Sequence, residues 1–361
     1  MKTKQVHCRC ASIATNHNSI VVSIVIVIPS KSTRTTSNSN TSSSVDSTTM
    51  ATMATTTTMT TTTTMTTTGL PSFRMVALDL DGTLLQSNHS MTEETADYLR
   101  ELDHRGFRVM VATGRSATTV YEHIRRLQFQ RPIPVVCSNG ARGLMCHVNE
   151  TDGSMVVEEL FSIPVPQDIV ARTIALAKEL GHVTQYYVGE HIYANPSQPS
   201  HVILTELYQE LTGCTTIYVQ DDFQQAIEQG LPSKLLVLCP VEQQDAMMAA
   251  FYKEFDSTMA TIIHGSMGWF LEVLHPQVCK GHGLTKICPF LNIDIHQVLA
   301  FGDGDNDLEF IQLAGRGIVM KNGRDVVKQV ADEVIDLTND EEGVRRTLQQ
   351  MQLNGQLLFH P

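Results

Sequence analysis

Positive charge is scarce in this sequence: 26 Lys and Arg stand against 38 Asp and Glu in 361 residues. Residues 1–72 hold five of the bases (Lys2, Lys4, Arg9, Lys31, Arg34) and a single acid, Asp46, so the rest of the chain has 21 bases and 37 acids. An anionic body of this kind repels phosphate backbones, which excludes a general nucleic-acid binder. Long hydrophobic runs are also missing. Apolar residues make up 42% of the chain but are dispersed, which suits a soluble core and excludes a membrane protein. Of the eight cysteines, six lie singly in the body with no CxxC pair and no zinc-ligand spacing, as expected of reduced thiols in an intracellular protein. An anionic substrate must therefore be held by a few placed cations or by a bound metal ion.

The first 72 residues differ in kind from the rest. From Thr48 to Thr68, 15 of 21 residues are Thr, a composition with nothing to bury and hence expected to be disordered. The apolar run Ile20–Ile28, broken only by Ser23, is too short to cross a bilayer as a helix. Scarce acids with Ser/Thr enrichment fit an organelle transit peptide (plastid or mitochondrion). A functionless leader, with initiation at Met50, Met65 or Met75, fits equally, and the protein is then cytoplasmic.

Beyond residue 72, apolar runs alternate with helical patterns. Strands are expected at Phe73–Leu80, Arg108–Ala112, Pro134–Ser138, Val298–Phe301 and Gly317–Met320. Helices are expected between them, the first opened by a capping box at Ser90-x-x-Glu93. This rhythm predicts an α/β fold with a doubly wound parallel sheet, carrying ligands at the carboxyl ends of its strands. Between about Phe161 and Trp269 the rhythm loosens into short strands and helices. The domain plan is thus an extension (1–72), a core (73–160 and 270–361) and an inserted α+β domain (161–269).

Four expected strand ends carry polar motifs. Asp79-Leu80-Asp81-Gly82-Thr83-Leu84 places two carboxylates on one side of the chain. Paired acids raise each other's proton affinity, which suits a nucleophile beside a general acid. Taken alone, the segment also fits a solvated turn or the metal-holding DxD of glycosyltransferases. Ala112-Thr113-Gly114-Arg115 offers a hydroxyl and free N–H groups, a natural phosphate seat, whereas Ser138-Asn139-Gly140-Ala141 reads by itself as an ordinary turn. Gly302-Asp303-Gly304-Asp305-Asn306-Asp307 has calcium-loop spacing, but Leu308 and Ala314 occupy the positions that require Gly and Glu. What remains is an acid cluster at a helix start, whose oxygen donors favour Mg²⁺. Lys280-Gly281 precedes it.

Together these motifs resemble the haloacid dehalogenase superfamily of phosphohydrolases, and specifically its Cof-type branch with the larger α/β cap (class IIB). The order DLDGTL, ATGR, Lys280, GDGDND carries the likeness, as do SNGA and Gly317-Ile318-Val319-Met320-Lys321-Asn322-Gly323. The resemblance implies an aspartyl-phosphate phosphatase with Asp79 as nucleophile and Asp81 as general acid/base. It also implies Mg²⁺ held by Asp79, the Asp81 carbonyl, Asp303 and Asp307, and phosphate held by Thr113, Lys280 and Asn306. Phe310 and Gly323 depart from the family pattern at packing positions, and Asp305 falls at a variable one. His89, His191, His264 and His275 read as surface or structural, since this chemistry already has its acid. The implied partner is a small phosphorylated metabolite, such as a sugar phosphate, FMN or pyridoxal phosphate, with neither nucleic acid nor membrane; the oligomeric state stays open. Tyr186, Tyr187, His191 and Tyr193 fit either the cap's inner face or its core. A phosphohexose mutase of the same superfamily and a non-catalytic ligand-binding relative are the alternatives.

Overall fold

The computed structural model describes residues 9–16, 19–25 and 72–359 except 221, 266 and 267. The chain divides into two units, Met1–Gly69 and Leu70–Pro361. In the first, β1 (Arg9–Asn16) and β2 (Ser19–Val25) pair antiparallel. The Thr tract expected between Thr48 and Thr68 lies outside the described residues, as does most of the segment read as a leader.

The second unit contains two sheets. Its larger sheet begins with β3 (Met75–Leu78), β4 (Arg108–Ala112) and β5 (Ile133–Cys137), followed by the hairpin β6 (Arg142–Val148) and β7 (Met155–Ser162). The smaller sheet comprises β8 (Val183–Val188), β9 (His191–Ala194), β10 (Thr216–Tyr218), β11 (Lys234–Leu238), β12 (Thr261–His264) and β13 (Phe270–Leu274). The chain then returns to the larger sheet through β14 (Val298–Gly302), β15 (Arg316–Val319) and β16 (Glu333–Val334).

The larger sheet runs β16-β15-β14-β3-β4-β5-β6-β7, parallel through its first six strands and antiparallel in the final hairpin. Alternation along β3 shows why both faces are covered. Val76 and Leu78 join a core with Leu99, Ile124 and Leu348, from helices Glu93–His104, Tyr121–Leu127 and Gly343–Leu353. Met75 and Ala77 join another with Leu284, Ile287 and Phe310, from helices Lys280–Ile287 and Leu308–Leu313. Strand runs buried on both faces are what doubly wound parallel sheets require. The hairpin β6–β7 is an addition that strand–helix alternation did not foresee.

The smaller sheet runs β10-β9-β8-β11-β13-β12 and is mostly antiparallel. Strand membership changes at two places close to the expected insert: Ser162 still belongs to the larger sheet and Phe270–Leu274 to the smaller. A strand keeps its pairing to its end, so the sheets exchange the chain a few residues beyond 160 and 269. Tyr186 and Tyr193 pack into one face of this sheet with Phe251 and Phe255, whereas Tyr187 lies on the other with Tyr208 and Trp269; His191 is exposed.

Two local details depart from the sequence reading. Helix Glu93–His104 is capped by Thr92, which accepts from the Thr95 N–H at 3.1 Å, and not by Ser90. Met91 is buried between the two, and the Ser90 hydroxyl donates to Asn88 Oδ1 at 2.7 Å instead. The Lys280-Gly281-x-Gly283 pattern is a packing requirement: a Cβ on Gly281 would lie 2.6 Å from the Glu309 carbonyl, and one on Gly283 would lie 2.5 Å from Val136. The two glycines let helix Lys280–Ile287 approach helix Leu308–Leu313 and β5 closely. A Gly281→Ala variant is expected to lose about 1–3 kcal/mol of stability through overpacking against fixed backbone, measured by urea unfolding of the full chain.

Candidate active site

The larger sheet changes winding direction at β3: the chain proceeds from β3 to β4 and β5 on one side, and β14 pairs on the other. Crevices outside strand carboxyl ends at such a point hold ligands in open α/β sheets. Asp79 follows β3, Thr113 follows β4, Ser138 follows β5 and Asp303 follows β14. Asp79 is fixed by its own N–H, which donates to the Phe301 carbonyl at 3.0 Å.

A buried lysine ties the acids together. The Lys280 Nζ donates to Asp79 Oδ1 at 2.5 Å and to Asp307 Oδ1 at 2.7 Å, and all three side chains are almost fully buried. The second Asp307 oxygen accepts from the N–H groups of Asp303 (3.0 Å) and Gly304 (2.9 Å). Asp303 and Asp307 thus meet through a turn that folds back ahead of the α-helix, which starts only at Leu308. Asp303 Oδ1 accepts from the Thr83 hydroxyl at 2.7 Å. Gly82, at φ +79°, passes so close that a Cβ would fall 2.3 Å from Asp303 Oδ2, which accounts for glycine in that motif.

One oxygen from each of Asp79, Asp303 and Asp307 lies within 4.8 Å of the others, a group suited to holding a metal ion. Three carboxylates facing one ammonium leave excess negative charge in a dry site, and buried charge requires a partner. All-oxygen donors match a hard divalent cation. Proton affinities reflect the same crowding. Burial pushes the Asp79 carboxyl well up, with Asp307 and Asp303 adding to the rise against the opposing pull of Lys280. Asp303 is raised to about 6, chiefly by burial. Lys280 is raised despite its burial, because Asp307 and Asp79 favour its charged form.

Asp81 stands apart from this cluster. Its half-exposed carboxylate accepts from Arg115 Nε at 2.7 Å and also from Nη2 of the same guanidinium; His89 Nδ1 is 3.2 Å away. Burial alone would raise its pKa, but the hydrogen bonds and charge of Arg115 outweigh that and hold it below the usual range. Thr113 is buried, with its hydroxyl accepting from the Arg115 N–H at 3.2 Å. Asn306 donates from Nδ2 to Asn139 Oδ1 at 2.9 Å. Asp305 faces outward to Arg324, consistent with a variable position. His264 meets the Gln244 amide, and His275 caps its own turn by accepting from the Gln277 N–H.

The structure therefore brings Asp79, Lys280, Asp303 and Asp307 into one cluster, with Asp81, Thr113 and Asn306 on the surrounding loops. Sequence reasoning assigned no role to Arg115 or Asn139. The scarcity of bases pointed toward Arg115, since an anionic body with an anionic ligand needs each cation near the site.

The chain matches the haloacid dehalogenase-like hydrolase family over residues 76–348. It is 27% identical over 282 residues to the 5-amino-6-(5-phospho-D-ribitylamino)uracil phosphatase YitU of Bacillus subtilis, covering 76% of this chain and 96% of that protein. It is 25% identical over 296 residues to the phosphatase YwpJ of the same organism, with 77% and 99% covered. Among solved structures, a haloacid dehalogenase-like hydrolase from Bacteroides thetaiotaomicron superposes with a TM-score of 0.65 at 22% identity, covering 78% of this chain and 100% of that one. The subclass IIB sugar phosphatase BT4131 gives 0.60 at 20% identity, with 78% and 99% covered. These two likenesses speak for the fold. The chain belongs to the haloacid dehalogenase-like hydrolases, in their Cof-type branch. It is a phosphatase of that family.

Because Asp303 binds a proton more tightly folded than unfolded, its contribution to stability in the ion-free protein grows as pH falls from 7 through about 6 toward 4. That slope opposes ordinary acid unfolding. A divalent ion competes with the same proton, so its affinity is expected to drop about tenfold between pH 7 and pH 5. Calorimetric titrations at the two pH values measure this.

Proposed function

We propose that the protein is a Mg²⁺-dependent phosphatase of small phosphate monoesters that works through an aspartyl-phosphate on Asp79. The observation that carries this reading is the buried Asp79–Lys280–Asp307 bridge beside Asp303. It keeps a carboxylate nucleophile aligned at a strand end and next to a divalent-ion site. Mg²⁺ would be held by Asp79, Asp303, Asp307 and the Asp81 carbonyl, and when bound it supplies positive charge that offsets repulsion between carboxylate and phosphate.

In the first step an Asp79 carboxylate oxygen attacks phosphorus, and the bond from phosphorus to the leaving oxygen breaks. Protonated Asp81 transfers its proton to that oxygen. In the second step Asp81 takes a proton from water, the water oxygen attacks phosphorus, and the bond to Asp79 breaks to release inorganic phosphate. Lys280, Thr113 and Asn306 hold the phosphoryl oxygens through both steps; positioning and charge are most of what this transfer demands. Arg115 stabilises Asp81 as a carboxylate in the resting site. An incoming dianion competes for that guanidinium and thereby raises the proton affinity of Asp81, readying it as the acid.

The smaller sheet would act as the cap that excludes water and reads the leaving group. Sugar phosphates and similar metabolites, with FMN and pyridoxal phosphate in the same class, are the proposed substrates. A relative named for a phospho-ribityl compound supports an extended polyol phosphate among them. The phosphatase relatives favour water over a second sugar as acceptor. Six described cysteines are free, which supports a reducing, intracellular setting in the cytoplasm or an organelle. No helix of the described residues is long and apolar enough to cross a membrane.

On a panel of small phosphate monoesters, the full chain is expected to release phosphate only when Mg²⁺ is present. Asp79→Asn should lower kcat by about 10⁴-fold or more, and Asp81→Asn by about 10²–10⁴-fold. Turnover by Asp79→Asn close to wild type would sink the proposal.

A further inference from the structure

The Ser138-Asn139-Gly140 turn has no part in the chemistry above, yet its backbone is unusual. Ser138 and Asn139 both adopt positive φ (+50° and +55°) and are buried. Non-glycine residues adopt that conformation uncommonly, Asn more readily than most. The Asn139 side chain is held from the smaller sheet: its Nδ2 donates to Glu272 Oε2 at 2.8 Å. A carboxylate oxygen only accepts, which fixes the orientation of the amide. Asn139 Oδ1 therefore faces Asn306 and accepts from its Nδ2 at 2.9 Å, leaving the second Asn306 donor for another acceptor.

Glu272 is itself paired. Lys234 Nζ donates to Glu272 Oε1 and, at 3.2 Å, to the Gly114 carbonyl. Leu236 lies opposite Glu272 in the β11–β13 register, and Lys234 is two residues from Leu236, so both charges share one sheet face. Their side chains are 1% and 8% exposed. A buried ion pair stabilises a fold poorly compared with apolar residues of the same size, so its placement has to be explained by what it touches. Gly114 follows Thr113, and the Asn139 N–H donates to the Thr113 carbonyl at 3.1 Å. The pair's hydrogen bonds outside the smaller sheet thus go to the loops after β4 and β5, and through Asn139 they reach the loop after β14.

We propose that Lys234 and Glu272 are positioning residues that couple docking of the smaller sheet to assembly of the phosphate seat. Glu272 orients Asn139, which presents Asn306 to the phosphoryl group, and Lys234 pins the turn after Thr113. The seat is complete only while the two sheets are in contact. This rests on the reading of Thr113 and Asn306 as phosphate ligands.

The test is a charge-free pair, Lys234→Met with Glu272→Leu, in the full chain. Removing both charges together is expected to leave the thermal midpoint at or above wild type, while kcat/KM for p-nitrophenyl phosphate falls about 10²-fold. Adding Asn306→Ala to that pair should lower kcat/KM by less than the product of the two separate losses, because Glu272 acts through the Asn306 amide while Lys234 acts through the turn after Thr113. Wild-type kcat/KM in the pair, or losses that multiply, overturns the proposal. Should that pair fail to fold, Asn139→Asp decides: it sets two carboxylates face to face and should lose activity, and adding Glu272→Gln should restore it. Lack of recovery is equally fatal. Hydrogen exchange at residues 113–116 and 138–141 decides without turnover: it should speed up in Asn139→Asp and in the charge-free pair if folded, and unchanged exchange overturns the coupling. A wild type that turns over no monoester sinks the phosphatase reading alone, since exchange still reports on the latch.

Discussion

One buried ammonium organises this protein. Lys280 lies between Asp79 and Asp307, taken out of water together with both partners. Such a bridge is stable only as a complete unit, since removing one partner leaves an uncompensated charge that costs about 3–5 kcal/mol. The surrounding architecture supplies that completeness. Gly281 and Gly283 let the lysine's helix press against its neighbours. Asp307 is anchored by two backbone N–H groups, and Asp79 is anchored by the register of β3 against β14. The carboxylates are therefore aimed before any ligand arrives, which is where positioning catalysis draws its advantage.

The charge balance of the whole chain gives this arrangement its meaning. A body poor in bases cannot attract a phosphate by its general field. It concentrates cationic character instead at Lys280, Arg115 and a site suited to a divalent ion, all close to the strand ends. Arg115 and Lys280 each pull down the proton affinity of one acid of the first motif, but the net outcomes differ. Arg115 holds Asp81 below the usual carboxylate range, whereas burial and neighbouring acids keep Asp79 above it in the ion-free site. Two carboxylates two residues apart are thereby given different proton affinities, the condition for different roles.

Much of this was legible in the amino-acid order. Buried parallel strands are short apolar runs, and their polar ends stand out, so Asp79, Thr113 and Asp303 could be placed at strand ends from sequence alone. Family likeness then joined Lys280 to them. Other features resisted for physical reasons. The β6–β7 hairpin lies at a sheet edge, where half-exposed positions blur the alternation of the outer strand. The Ser90 cap failed because the Ser90 hydroxyl donates to Asn88 Oδ1 and Thr92 takes the capping position. The Arg115–Asp81 and Lys234–Glu272 pairs join residues on separate elements, and no periodicity within one element encodes such contacts.

The proposed mechanism requires Asp79 to become phosphorylated. The most direct measurement is acid quenching of the full chain during turnover of a monoester with Mg²⁺, followed by peptide mass spectrometry. An acyl phosphate is expected on Asp79, forming and decaying at rates that match phosphate release. Steady phosphate release with Asp79 unmodified throughout would contradict the mechanism.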